Sequence, residues 1–233
     1  MYSFERIDRS SLKEWAKNLL STANRSIWGA GIIIALVDLL TNITKSEVVY
    51  NEALGEYLTL RTTTTFSTVV EIFVLSVLMV GVARLFLSFA RGNEIDLNEL
   101  AFGFRYYFKV FLTYLWQSIV ITLWLLLFII PGIIKAISYS FVPFILAENP
   151  NIKPNEVLKI SAVLTDGRKG ELFVFSLSFI GWNLLSAITL GLASVYVTPY
   201  YQTCLSAIYD TFKADAIRQG RIPEDVFVPQ EGI

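Results

Sequence analysis

The chain has 233 residues, 54% of them hydrophobic and 17% charged, with a mean hydropathy of +0.55; soluble domains carry about 25% charged residues, so the composition places it in the membrane class. A net charge of −1 provides no global field for nucleic acid. Histidine is absent and the single cysteine, Cys204, lies in an apolar segment, which excludes Ser-His-Asp and HExxH hydrolysis and a disulfide framework and argues against a thiolate metal site.

The opening residues MYSFERIDRSSLKEWAK precede the first apolar run near Ile27 and do not read as a cleaved signal, so insertion is expected to use the first span itself. Ser11-Leu12-Lys13-Glu14 has the form of a capping box. Behind it Leu12, Trp15, Ala16, Leu19 and Leu20 recur at helical spacing, which predicts an amphipathic helix on the membrane surface within residues 1–25. A first span follows over about 26–40 and carries Asp38. Residues 42–65, with Glu47, Glu52, Glu56 and four successive threonines, predict an exposed polar connection with room for a short helix or strand. The second span, 66–90, contains Glu71, and Arg91-Gly92-Asn93 ends it with turn chemistry.

After a polar connection with a short helix over 97–104, the third span covers 107–130. Pro131-Gly132 then predicts a tight turn, because one continuous helix would far exceed a bilayer's thickness of about 20 residues. The fourth span, 133–147, has only about 15 apolar positions, as a short, tilted or re-entrant helix would. Pro154 to Leu164 carry a broad apolar face and predict a second interfacial helix. The fifth span is 172–190, a turn falls at Gly191, and the sixth span is 193–212 with Pro199 inside it. The expected fold is therefore all-α: a polytopic membrane bundle of about six transmembrane helices over 26–212, two interfacial amphipathic helices, and a loosely ordered polar tail over 213–233.

On this threading all but three of the 19 lysines and arginines fall on the side of the N-terminus, the exceptions being Lys45, Arg61 and Lys135. The positive-inside rule then predicts both termini in the cytoplasm. Ionisable residues within spans are costly and become functional candidates by default. Asp38, Glu71 and Lys135 all fall in the outer third of their spans, where they form either an ion or proton site or a structural pair with one residue reaching headgroup water. Gln117, Asn183 and Gln202 read as interhelical hydrogen-bonding residues, and Asp210 as facing water or nearby basic side chains. No residue stands out as catalytic, metal-ligating or cofactor-binding. A faint parallel repeat links Trp124, Pro131-Gly132, Tyr139 and Pro143 to Trp182, Gly191, Tyr196 and Pro199; it would place a site between the two hairpins.

The run LWLLLFIIPGIIKAISYSFVPFILAENP, with Ser161, the Asp166 to Gly170 turn, SFIGWNLLSAITLG and Pro199-Tyr200, resembles the bacterial membrane-protein family catalogued as domain of unknown function 975, over about Gly81 to Phe212. That family is distantly similar to the membrane regions attached to some glycerophosphodiester phosphodiesterases, for whose catalytic domain this chain has no room. The resemblance implies a multi-pass protein of the cytoplasmic membrane and brings no catalytic residues. The function expected is a non-enzymatic accessory or interaction protein: a transporter partner, a lipid-handling protein, or protection against membrane-active peptides. The rival expectation is a small transporter or channel using Asp38, Glu71 and Lys135. The expected partners are the bilayer, its lipids or another membrane protein.

Overall fold

The computed structural model describes residues 8–22, 25–41, 45–51, 56–62, 76–189 and 191–229, with the backbone alone at 25–26, 36–41, 45–51 and 56–62. Helix α1 (Arg9–Thr22) starts behind Asp8 rather than Ser11. The Asp8 carboxylate accepts from the Ser10 hydroxyl (2.7 Å), the Ser11 hydroxyl (2.5 Å) and the Ser10 amide (3.1 Å), which hold its pKa down at about 2. Leu12, Ala16 and Leu20, on the face expected to be apolar, are buried where α1 packs on the last long helix.

Helix α2 (Arg25–Thr41) leads to strands β1 (Lys45–Asn51) and β2 (Glu56–Thr62), an antiparallel pair with Lys45 opposite Thr62 and Asn51 opposite Glu56. This hairpin is the one strand pairing among the described residues, and it takes the strand option left open for residues 42–65. Its valines, threonines and tyrosines favour an extended backbone.

Helix α3 (Ser76–Ala90) is the described part of the second span. Gly92, with φ of 85°, ends it in the left-handed region that glycine enters without strain. A short 3₁₀ turn (Leu97–Ala101) and helix α4 (Phe102–Arg105) fold back onto α3. The approach is close: a Cβ on Gly81 would lie 2.7 Å from Leu100 Cα, inside contact distance.

Helix α5 (Tyr107–Leu127) and helix α6 (Ile129–Ser138) form the apolar hairpin. Its turn is tight but sits three residues earlier than expected, at the single extended residue Phe128 (φ −156°, ψ 134°). Pro131 is displaced into the first turn of α6, where its missing N–H costs nothing. Gly132 is buried against α5, and a Cβ there would sit 2.9 Å from Leu125 Cα. After a turn at Tyr139–Phe141 the chain continues as α7 (Val142–Glu148), with Pro143 in its first turn.

Helix α8 (Pro154–Leu164) was expected at the interface. It packs its apolar face along α5, burying Val157, Leu158, Ser161 and Leu164, and leaves Asn155, Glu156 and Lys159 exposed. Ser161 explains part of this preference, because its hydroxyl donates to the Ser138 carbonyl at 2.8 Å, where the α6–α7 break leaves an acceptor open. The stretch expected as the fifth span is two helices, α9 (Lys169–Leu177) and α10 (Ile180–Ile188), broken at Ser178–Phe179. Helix α11 (Ser194–Arg218) follows Gly191, whose φ is 90°.

Three stretches, Tyr107–Leu127, Ile129–Glu148 and Lys169–Ile188, are long and apolar enough to cross a membrane. The first would measure about 31 Å, the thickness of the hydrocarbon layer. Their tips are bare of cover, with Leu126 80% and Ile130 72% exposed, a pattern suited to lipid and not to water. The core lies where α3, α7 and α11 meet around Phe86, Phe141, Phe144, Tyr209 and Phe212. Phe141 meets Tyr209 edge-on at 5.5 Å, and Phe144 stacks on it at 5.3 Å.

The expectation of a loose tail from residue 213 is corrected. Helix α11 continues to Arg218, and Ile222 and Phe227 beyond it are buried. The Asn149 amide donates to the carbonyls of Val226 (2.8 Å) and Val228 (3.2 Å), pinning the tail to the end of α7.

Replacing Gly81 by alanine is expected to cost about 1–3 kcal/mol, the usual range for overpacking, because the clash is with backbone. Thermal melting of the detergent-purified protein should fall by roughly 2–10 °C, whereas Gly170→Ala, which has open space around it, should leave the melt unchanged.

Candidate functional site

Of the three candidate span residues, Glu71 lies outside the described residues. Asp38 lies on the last turn of α2, where only the backbone is described. Lys135 is fully placed. Its ammonium lies 5.4 Å from the Trp124 ring centroid and 5.9 Å from that of Tyr139, within reach of cation–π attraction.

Lys135 also lines a cleft of about 270 Å³ built by three helices. Trp116 and Val120 come from α5, Lys135 and Tyr139 from α6 and the turn after it, and Asn155 and Lys159 from α8. The expected threading separated Lys135, near the outer face, from residues 154–164 at the inner face. They share one cleft because the break at Tyr139–Phe141 shortens the return leg and α8 runs lengthwise beside α5. On the α5 side, Trp116 belongs to an exposed stripe with Leu112, Ile119, Leu123 and Leu127, spaced three and four residues apart.

The strongest polar constellation was missed in the sequence. Glu148, only 9% exposed at its side chain, accepts from Arg91 (2.6 Å), from Lys213 (2.7 Å to each oxygen) and from the Tyr209 hydroxyl (2.5 Å). Arg91 donates in turn to both oxygens of Asp210, at 2.6 and 3.0 Å, so Asp210 does meet a basic partner. The sequence signal for Glu148 is its place at the end of a long apolar run. Nearby, Arg84 pairs with Glu99 and donates to the Ala147 carbonyl at 3.0 Å, while Arg168 pairs with Asp215 at 2.8 Å over the Phe212 ring. These charges neutralise one another, which suits them to clamp helices.

Lys13 of α1 reaches the break in the fifth span, donating to the Ser178 carbonyl at 3.2 Å above the Phe179 ring. Burial lowers its pKa. The expected hydrogen-bonding roles are not uniformly met: Asn183 is exposed, and the buried Gln117 Oε1 has no partner among the described residues. The repeat also dissolves, since Gly132 lies inside α6 whereas Gly191 makes a turn with φ of 90°, and Pro143 opens α7 whereas Pro199 sits inside α11. Tyr139 lies beside Lys135, but Tyr196 is stacked on Trp28 at 5.7 Å with Trp182 at 6.1 Å. Cys204 is buried in α11. Among the described residues no three Asp, Glu, Cys or His side chains gather as metal ligands would.

Residues 125–216 match the model of a family described as Protein of unknown function (DUF975). The matched stretch holds Lys135, Glu148, Lys159 and the whole polar clamp except Arg91, and it covers less than half of the chain. It does not reach the α1–α4 region, nor does it extend to glycerophosphodiester phosphodiesterases. No curated protein and no solved structure matches the chain.

Removing the Glu148 carboxylate strips the mostly buried Lys213 of its carboxylate and the Tyr209 hydroxyl of its acceptor, and leaves Arg91 with Asp210 alone. Glu148→Ala should therefore destabilise the protein by about 3 kcal/mol or more. In a double-mutant cycle with Arg91→Ala, the loss in the pair is expected to be smaller than the sum of the single losses, as measured by melting in detergent.

Proposed function

We propose that this chain is a non-enzymatic accessory protein of a bacterial cytoplasmic membrane, crossing it six times with both termini in the cytoplasm, and that it handles lipid on its flank. The observation that carries this reading is the Lys135 cleft, which borders the exposed apolar stripe of α5. A lateral opening of this kind receives a lipid, whereas transport calls for a polar path through the bundle. The clamp around Glu148 leaves its charges spent on one another, which fits a scaffold more than a moving ion site. For the threading, support comes from the three long apolar stretches together with α2, α3 and α11, and from the basic residues gathered around Glu148, Asp210 and Asp215 at one end.

Two measurements test the proposal. In vesicles containing the purified full chain, proton and cation flux should equal that of empty vesicles, and lipid should remain bound to the protein after detergent exchange. Flux that disappears in Glu71→Gln would overturn the reading in favour of a transporter. For the threading, a cysteine at the exposed hairpin turn, Phe128→Cys in a Cys204→Ser background, should react with an impermeant maleimide added outside intact cells. Reaction only after the inner face is opened would reverse the topology.

A further inference from the structure

We propose that the cleft between α5, α6 and α8 binds the phosphate of an anionic membrane lipid between the ammonium groups of Lys135 and Lys159, with the acyl chains along the α5 stripe. This rests on the lipid-handling reading and narrows it to a headgroup class and two residues.

The argument starts from charge. The cations around the core, Arg84, Arg91, Arg168 and Lys213, each hold a carboxylate within 4.0 Å. Lys135 and Lys159 depart from that pattern, because among the described residues neither has such a partner. Lys135 belongs to a stretch apolar enough to span a membrane, where an ammonium without a counter-ion is expensive. The aromatic faces of Trp124 and Tyr139 lower that cost without cancelling the charge.

The cleft itself contains no aspartate or glutamate. Two positive groups with no negative one in the same small space define a site for an anion. Lys159 also borders the neighbouring cleft beneath the tail, where Glu156 and Asp225 lie, so the anion's strongest hold is expected on Lys135. Asn155 adds an amide able to donate to phosphate oxygens. A volume of about 270 Å³ accommodates a phosphate with its glycerol but not the chains, and the chains have a continuous apolar path over Trp116, Ile119, Leu123 and Leu127. Trp116 borders both the cleft and the stripe, so its indole N–H and large ring join the polar space to the apolar one.

The test is native mass spectrometry of the full chain in mild detergent, titrated with phosphatidylglycerol or with phosphatidylcholine. Wild-type protein is expected to bind the anionic lipid preferentially. Lys135→Gln with Lys159→Gln should weaken that binding about tenfold or more, the scale of a lost charge-assisted hydrogen bond. The single Lys159→Gln, on the exposed side of α8, gives a smaller loss and avoids any folding defect of the pair. Lys17→Gln, an exposed lysine on α1, should leave the preference intact.

An unchanged preference in the double variant, or an equal loss in Lys17→Gln, overturns the inference. Displacement of the lipid by an equal concentration of soluble glycerol phosphate overturns it as well, since the site would then belong to the free anion. Lipid retained without headgroup preference defeats this inference and leaves the lipid-handling reading standing. Absence of any retained lipid defeats both.

Discussion

The Glu148 carboxylate is the point on which the helical body depends. It lies at the C-terminal end of α7 and takes hydrogen bonds from Arg91, just past α3, and from Tyr209 and Lys213 of α11. Three elements far apart in sequence are thus held at one end by a single acidic group, and the aromatic core of Phe141, Phe144, Tyr209 and Phe212 is packed directly beside it. A buried charge of this kind contributes less net stability than it appears to, because desolvation offsets much of the attraction. What it contributes is specificity, since any other pairing of these helices would strand a charge.

A second constraint runs through the rest of the bundle: in a low-dielectric setting each interrupted helix must find partners for the backbone groups it frees. The break after α6 frees the Ser138 carbonyl, which accepts from Ser161 at 2.8 Å and Thr165 at 3.4 Å. The break after α9 frees the Ser178 carbonyl, and Lys13 fills that need. Pro199 deprives the Val195 carbonyl of the N–H an unbroken helix would supply. There α2 presents Gly31, whose Cβ, if it had one, would lie 2.5 Å from that oxygen, so the helices meet backbone to backbone.

These patterns explain what could be read in the sequence. Long apolar runs are visible by length alone, so the three helical stretches long and apolar enough to cross a membrane were legible to within a few residues. Turn position was less so: Pro131-Gly132 marks a place where a helix begins and where two helices touch, and both roles look like a break when only the sequence is in hand. The second cleft residue, Lys159, was invisible as a partner of Lys135 because nothing local says that α8 runs along α5. Glu148 was hidden for a similar reason, since its partners lie at positions 91, 209 and 213 and only tertiary packing brings them together. The tail misled for its composition: its polar residues suggested disorder, while two apolar ones, Ile222 and Phe227, were enough to dock it.

The order of the chain gives the Glu148 clamp a meaning for biosynthesis. A ribosome delivers Arg91 first, Glu148 next, and Tyr209, Asp210 and Lys213 some sixty residues later. Until α11 has emerged, the acidic group has only one of its partners and the aromatic core lacks half its rings. The contacts that join α3, α7 and α11 at this end therefore form only once α11 is present, however early the other two are made. Synthesis thus leaves Glu148 half-partnered over the whole interval between α7 and α11.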